Sequence, residues 1–219
     1  MRKIALLVIM TALVAARPVA AQIDPDPNMC GIYFDERAMV YCIDADQGSL
    51  VTAYFCLTRI SAASGVSYWE AAIEVSAPSS ILAWSPRGGG VNALTPPEFA
   101  VTLETPLPWQ SALVVLEITV DVQTPHPIVF RIGPIANPSV PGDPFPLPAY
   151  SPGRNPSIFR TLGYSFGWNP ETGLSNWCAV INSHDDCAGD PAAGAVTTWG
   201  RIKSIYGGEE IAAPGFSYR

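Results

Sequence analysis

Residues Gly163–Gly167 match the G-x-S-x-G pattern that surrounds the nucleophile of many serine hydrolases. In those enzymes a tight strand-to-helix turn exposes the serine hydroxyl beside backbone N–H groups that stabilise an oxyanion. Glu171 and His184 follow Ser165 in the chain order of such a triad. Pro170, however, removes a backbone donor where the helix should begin. We therefore interpret Ser165 as the end of a β-strand and assign no catalytic residue, with a secreted serine hydrolase using Ser165 as the alternative function.

Acidic loops are a second candidate for chemistry, because Ca²⁺ prefers carboxylate and carbonyl oxygens. Asp44 and Asp46 begin one such loop, and Asp185, Asp186 and Asp190 lie in another. The first loop departs from the EF-hand pattern, since its glycine comes one position early and the closing acid is missing. Solvated turn acids are the commoner interpretation, so we assign no metal and no cofactor.

The two histidines, His126 and His184, are too few for a multi-histidine zinc site. Glu70 and Glu74 are predicted on the solvent face of one strand, ~13 Å apart. A pair of glycosidase carboxylates lies closer together, at about 5 to 10 Å. We interpret both glutamates as solvated surface residues.

Three of the six tryptophans, Trp84, Trp109 and Trp168, lie next to turns. Exposed aromatic rings at such positions stack on sugar faces in carbohydrate-binding modules. The preferred interpretation is that these rings cap the ends of a hydrophobic core, because they bring a large apolar area at low entropic cost. Trp69 is predicted in the core itself.

The elements that must position these residues are short strands separated by proline and glycine turns. Residues 69, 71, 73 and 75 are predicted to face a core while Glu70 and Glu74 face water, an alternation that is typical of a half-buried strand. The seven predicted strands before the proline-rich region are 31–35, 50–60, 68–75, 80–84, 98–105, 112–122 and 128–132. Because no helix separates them, they predict an all-β, antiparallel two-sheet sandwich over residues 22–133.

Residues 134–156 contain eight prolines and are predicted to form an extended segment without a regular ladder. Its embedded apolar residues favour packing along the sandwich over a flexible linker, because true linkers are polar. The rest of the chain, 157–219, is predicted to belong to the same domain, with strands at 158–166 and 177–182. One short C-terminal helix is predicted at 197–206, where Gly207 and Gly208 end it.

The N-terminus has the parts of a cleaved secretory signal peptide over residues 1–21. Arg2 and Lys3 precede an apolar run from 4 to 16, and small residues lead to an expected cut after Ala21. The run is shorter than the ~20 residues that a membrane-spanning helix needs. We therefore predict a secreted or extracytoplasmic protein that does not insert in the membrane after cleavage.

Cleavage there would remove three basic residues and no acid, so the formal charge would change from −7 to −10. A surface of that sign repels nucleic acid and anionic lipid, which argues against both as partners. The five cysteines, in an oxidising compartment, are predicted to form at most two disulfides. Their spacing does not choose among the pairings.

Short landmarks resemble a group of uncharacterised secreted proteins from candidate bacterial phyla: the start at 31–35 with a cysteine soon after, the alternating strand at 69–75, and the ending at 198–206. The order of strands from Trp69 to Ile132 is also similar to cohesin-like sandwich domains. This second resemblance implies an immunoglobulin- or cohesin-like sandwich, and cohesins bind a partner module. It supplies no contact or catalytic residues, and a shared fold does not establish function. The function predicted from these observations is a non-enzymatic domain that binds a protein or a glycan at the cell envelope.

Overall fold

The computed structural model describes residues 26–76, 79–142, 146–155, 157–165, 167, 169, 173–175 and 178–183. Thirteen strands form over these residues, together with a single turn of 3₁₀ helix at Arg87–Gly89. The strands are β1 (Met29–Tyr33), β2 (Cys42–Ile43), β3 (Leu50–Thr58), β4 (Val66–Val75), β5 (Ser79–Pro86), β6 (Val91–Asn92), β7 (Glu98–Leu107), β8 (Ala112–Val122), β9 (Ile128–Gly133), β10 (Ala149–Pro152), β11 (Arg160–Thr161), β12 (Gly163–Tyr164) and β13 (Ala179–Ile181). The helix predicted at 197–206 lies outside the described residues.

The strands belong to two sheets. The first sheet has the order β12–β1–β3–β8–β5, and the second has the order β11–β10–β4–β9–β13–β2. In the second sheet β7 also pairs with β4, and β6 pairs with β7. Because β10 and β7 pair with the same residues of β4, they lie along its opposite edges.

The two sheets face each other across one hydrophobic core. Phe55 of the first sheet lies 5.4 Å from Trp69 of the second, between ring centroids, and Trp84 lies 5.1 Å from Phe99. Trp69 is fully buried, as are Ala71 and Ile73 on the same face of its strand, while Val75 is half-buried. Each large apolar side chain buried in this way contributes roughly 1.5–3 kcal/mol. The predicted all-β two-sheet sandwich and the core position of Trp69 are confirmed.

Strand direction differs from the prediction at two places. Most pairs are antiparallel, but β1 pairs with β12 and β2 pairs with β13 in parallel. Parallel neighbours need a crossover connection, and here the connection is most of the molecule. An alternation of period two predicts which side of a strand is buried and carries no information on its direction.

Glu70 corrects a second prediction, because its side chain is buried, with 1% of the residue exposed. Its carboxylate accepts hydrogen bonds from Tyr68 Oη at 2.7 Å, Ser139 N at 2.7 Å and Ser139 Oγ at 2.6 Å. Glu70 does lie on the outer face of β4, as the alternation predicted. Ser139 of the proline-rich segment lies over Glu70 there and shields its carboxylate from water. Glu74, at the end of the strand, is exposed.

The proline-rich segment also contains a strand where no regular ladder was predicted. Strand β10 pairs with β4, and Tyr150 lies opposite Trp69. The ladder forms because 149–151 is a proline-free run whose N–H groups can bond across the sheet edge. Further along the chain, the strand predicted at 158–166 is two short strands, β11 and β12, which pair in different sheets.

The cysteines have different surroundings. Cys42 is disulfide-bonded. Cys30, Cys56 and Cys178 are fully buried, and the Cys178 thiol donates to Ser175 Oγ at 3.1 Å. Cys187 lies outside the described residues. Over the part of the chain that the structure describes, no helix has both the length and the hydropathy needed to cross a membrane.

Candidate functional site

Ser165 lies directly after β12, where the parallel pairing with β1 ends. Its hydroxyl donates to Cys30 O at 2.8 Å and accepts a hydrogen bond from Tyr33 Oη at 3.0 Å. The residue is 9% exposed. The Ser165 proton therefore bonds to a backbone carbonyl of the neighbouring strand, in an arrangement that ties the two strands together.

The local geometry of Ser165 also differs from that of a hydrolase nucleophile. The turn that exposes such a serine is strained, and Ser165 is not among the described non-glycine residues with positive φ. The adjacent Tyr164 does not serve as a base near neutral pH. Its burial, together with the nearby Cys30 and Cys178, raises the pKa of its phenol. Glu171 and His184, the other members of the hypothetical triad, lie outside the described residues.

The tryptophans next to turns have different environments. Trp84 is half-buried against Phe99, in agreement with a core-capping role. Trp109 is 50% exposed, and its indole Nε1–H donates to Ile60 O at 2.8 Å. Trp168 lies outside the described residues. Trp109 is thus a large aromatic ring that is held in one orientation by its nitrogen while much of its surface faces solvent.

Trp109 lies at one end of the sandwich, against the turn of residues 59–65 that joins β3 to β4. This turn is fixed by Asn28, whose Oδ1 accepts from Ser61 N at 2.8 Å and from Tyr150 Oη at 2.8 Å. Gly65 has φ +78° and lies so close to Leu107 O that a Cβ atom would overlap it. Only glycine fits that position, because it has no Cβ and adopts positive φ readily.

Two arginines, both about ninety residues or more after this turn in the sequence, contact it in the fold. The guanidinium of Arg160, on β11, donates to Ser61 Oγ, and the backbone N–H of Arg154 donates to Ser64 Oγ at 3.4 Å. Arg59, the first residue of the turn, is exposed, as are Arg154 and Arg160. We call this surface the rim. It comprises Arg59, Ser61, Ser64, Trp109, Arg154 and Arg160.

The rim has a local charge opposite to that of the whole chain. Neither Arg154 nor Arg160 forms an ion pair with a carboxylate among the residues described. Many of the described acids lie at the other end of the sandwich, where β3 begins and where β4 and β8 end. These are Asp44, Asp46, Glu74, Glu98 and Asp121. Several acids therefore lie at the end of the sandwich opposite to the rim.

The acidic loops show no metal site within the described ranges, since no group of three or more His, Cys, Asp or Glu side chains is placed to hold a metal ion there. Asp44 and Asp46 precede β3 in a turn whose Ser49 Oγ donates to Asp46 O at 2.6 Å. The second acidic cluster, at 185–190, lies outside the described residues. His126 lies in the loop between β8 and β9.

Sequence reasoning singled out Trp109 and missed the arginines. Arg154 and Arg160 lie more than forty residues from Trp109 in the chain, and no spacing connects them. They join the rim because β10 pairs with the first half of β4 and β11 with β10. The available signal was the scarcity of basic residues, twelve in the whole chain, two of which lie within seven residues here.

Comparisons with known proteins found similarity at the level of solved structures. No protein-family model and no curated protein matches the chain. The sixth cohesin from the scaffoldin B of Acetivibrio cellulolyticus, solved with a Cel5 dockerin, is 11% identical with a TM-score of 0.46, and the match covers 72% of this chain and 99% of the cohesin. The third ScaB cohesin of R. flavefaciens, solved with a group 1 dockerin, is 12% identical with a TM-score of 0.41, covering 64% and 92%.

The structure of CaCohA2 from Clostridium acetobutylicum is 10% identical, with a TM-score of 0.37 over 56% of this chain and 86% of the other. Similarities of this size support no statement about what the chain binds. The architecture is therefore shown by the strand pairing described above.

Proposed function

We propose that this chain is a secreted, non-enzymatic β-sandwich domain that binds a glycan outside the cytoplasm through the rim. The observation that carries the proposal is Trp109, which is 50% exposed while its indole nitrogen bonds to Ile60 O. A ring held in place loses little conformational entropy on binding, and its face offers apolar area to a sugar ring. Exposed Ser61 and the exposed arginines Arg154 and Arg160 near it supply hydrogen-bonding groups for sugar hydroxyls.

Substitution of Trp109 tests this function. We expect Trp109→Ala to abolish retardation of the protein in affinity electrophoresis through polysaccharide gels, because it removes the stacking surface. Leu50→Ala is the matched control, since Leu50 is 64% exposed at the opposite end of the sandwich. If the wild-type protein is retarded by no polysaccharide, or if Trp109→Ala leaves retardation unchanged, the proposal is wrong.

Absence of catalysis is part of the same proposal and is supported by the hydrogen bond from Ser165 Oγ to Cys30 O. A fluorophosphonate probe labels an activated serine, so we expect no labelling of the native protein. Labelling that disappears in Ser165→Ala would favour the hydrolase alternative instead.

Export is proposed from residues 1–21, which lie outside the described residues. Expression of the full chain in a secreting bacterial host should give a mature protein that begins at Gln22, as N-terminal sequencing would establish. Replacement of Arg2 and Lys3 by glutamate should lower the exported fraction, because the positive n-region is lost. Retention of the uncleaved chain in the cytoplasm of the wild type would contradict export.

A further inference from the structure

We infer that the glycan recognised by the rim is a polyanion carrying carboxylates, such as a polymer of uronic acid residues. This inference rests on the proposed glycan-binding function and names the substrate class. It is carried by three observations: the two arginines, the position of several acids at the other end of the sandwich, and the fixed indole beside the same turn.

The arginines provide the first step. Arg154 and Arg160 are exposed and have no carboxylate partner in the described part of the chain. Arg160 uses one guanidinium nitrogen on Ser61 Oγ, which orients the group and leaves other donors for a ligand. A guanidinium has five N–H donors in a planar fork, and this fork matches the two oxygens of a carboxylate.

Arg87 shows how arginines elsewhere in this fold are used. Its guanidinium bonds to Glu36 at 2.7 Å and to Glu117 at 2.9 Å, so its charge is neutralised within the molecule. Arg154 and Arg160 lack such neutralisation by a described carboxylate. The described acid nearest to the rim along the chain is Glu104, which lies five residues before Trp109 and is exposed.

The distribution of charge provides the second step. A chain with a formal charge of −7 repels a polyanion over most of its surface. At the rim, Arg154 and Arg160 place two positive charges that have no described carboxylate partner, while the acids Glu74 and Asp121 lie towards the far end of their strands. An anionic polymer is therefore attracted to one end of the molecule and repelled from the other, which orients it before contact.

The indole provides the third step, because it distinguishes a glycan from a phosphate or an acidic peptide. The only polar atom of the Trp109 side chain already bonds to Ile60 O. What remains for a ligand is the ring itself, which contacts the C–H face of a pyranose. Arg154 and Trp109 flank the same turn, since Gly153 N bonds to Gly65 O at 3.0 Å and Pro108 precedes Trp109 against Gly65. One sugar unit on the ring thus brings the carboxylates of neighbouring units towards the arginines.

The test compares two polymers with one backbone. Polygalacturonate carries a carboxylate on each unit, and fully methyl-esterified polygalacturonate carries none. We expect the wild-type protein to bind polygalacturonate at least about tenfold more tightly in isothermal titration, since a charge-assisted pair is worth about one such factor or more. Arg154→Gln with Arg160→Gln should abolish this preference, and added salt should weaken it.

Arg37→Gln is the matched control, because Arg37 is an exposed arginine of the loop between β1 and β2, away from the rim. It should leave the preference unchanged. Equal binding of both polymers that is lost in Trp109→Ala would overturn the anionic class and leave the glycan-binding function standing. Binding of neither polymer would overturn the inference, and retardation by another polysaccharide would then decide the proposed function separately. All four substituted positions are exposed, and unchanged thermal unfolding would show that each variant folds.

Discussion

Trp69 is the largest side chain that the two sheets bury completely, and its Nε1 makes no hydrogen bond to any described residue. An indole N–H left without a partner costs stability that the ring's apolar area offsets. The ring packs between Phe55 and Phe99, at 5.4 and 5.7 Å between centroids. Its position was predictable, because a period of two over 69–75 leaves one face of the strand apolar.

Replacement of Trp69 separates ring packing from the unpaired nitrogen. We expect Trp69→Ala to lower the free energy of unfolding by about 3–5 kcal/mol, the usual cost of removing a large core aromatic. Trp69→Phe should cost about 1–2 kcal/mol, because it keeps part of the packing and removes the unsatisfied N–H. Urea denaturation measures both. Equal losses for the two variants would show that ring packing with Phe55 and Phe99 contributes little.

Tyr68 makes the free energy of unfolding depend on pH. Burial, and then its hydrogen bond to Glu70, raises the pKa of the Tyr68 phenol from 10.0 to about 12. Since the folded protein holds this proton more tightly than the unfolded chain, Tyr68 stabilises fully below pH 10 and progressively less up to about pH 12.

We therefore expect the stability advantage of the wild type over Tyr68→Phe to shrink as the pH rises through this window. Urea denaturation at a series of pH values measures the difference. A constant difference across the window would show that the phenol is not buried as described.

Among the elements, the proline-rich segment is attached to the second sheet by glutamates of two strands. Glu70 of β4 bonds to Ser139, and Glu98 of β7 accepts the backbone N–H of Ala136 at 2.6 Å. We propose that residues 134–156 are part of one domain with the sandwich. A buried carboxylate that accepts three hydrogen bonds is an expensive group to leave without them, so the attachment is specific.

Glu70→Ala should release this segment. We expect faster limited proteolysis within 134–142 and a loss of stability of about 2–3 kcal/mol, because the hydrogen bonds of Ser139 are lost. Glu74→Ala is the control, being exposed on the same strand. Equal cleavage rates in the two variants would contradict the attachment. Peptide mapping of the early fragments locates the cut.

The strand pattern was predictable where strands are long, and unpredictable where they are short. All seven strands predicted before the proline-rich region exist, since each is long enough for its alternation to be seen. Strands β2 and β6 have two residues each, too few for any periodicity. Strand β10 was not predicted, because prolines surround it and proline disfavours a regular ladder. The direction of β12 and β13 depends on contacts with the opposite end of the chain, which no local pattern contains.

For the molecule as a whole, the site was predictable only in part. Trp109 could be identified as a candidate from the sequence, because it follows Pro108 and therefore lies next to a turn. The exposure of its ring was not predictable, because a tryptophan beside a turn can equally cap the end of the hydrophobic core. Arg154 and Arg160 meet Trp109 because β10 pairs with β4, some eighty residues earlier, and β11 pairs with β10, which is a property of the folded molecule alone.

The disulfide of Cys42 affects the stability of the whole molecule, because it cross-links β2, the strand at the edge of the second sheet. We expect Cys42→Ser to lower stability by about 2–4 kcal/mol, since the cross-link restricts the unfolded chain. Reductant should lower the melting temperature of the wild type towards that of the variant. A wild-type melting temperature that does not change on reduction would contradict a stabilising cross-link.

Each sheet contains a strand from late in the chain, β12 in the first and β13 in the second, and this affects folding during synthesis. Met29 pairs with Gly163, and Cys42 pairs with Val180. The pairings of β1 with β12 and of β2 with β13 can therefore form only after β12 and β13 have been synthesised. Contacts this distant in sequence make folding slow, on the order of milliseconds to seconds. A nascent chain therefore cannot complete either sheet before β12 and β13 have left the ribosome. If the chain is exported as proposed, it is still unfolded at that stage and can be threaded through a translocation pore.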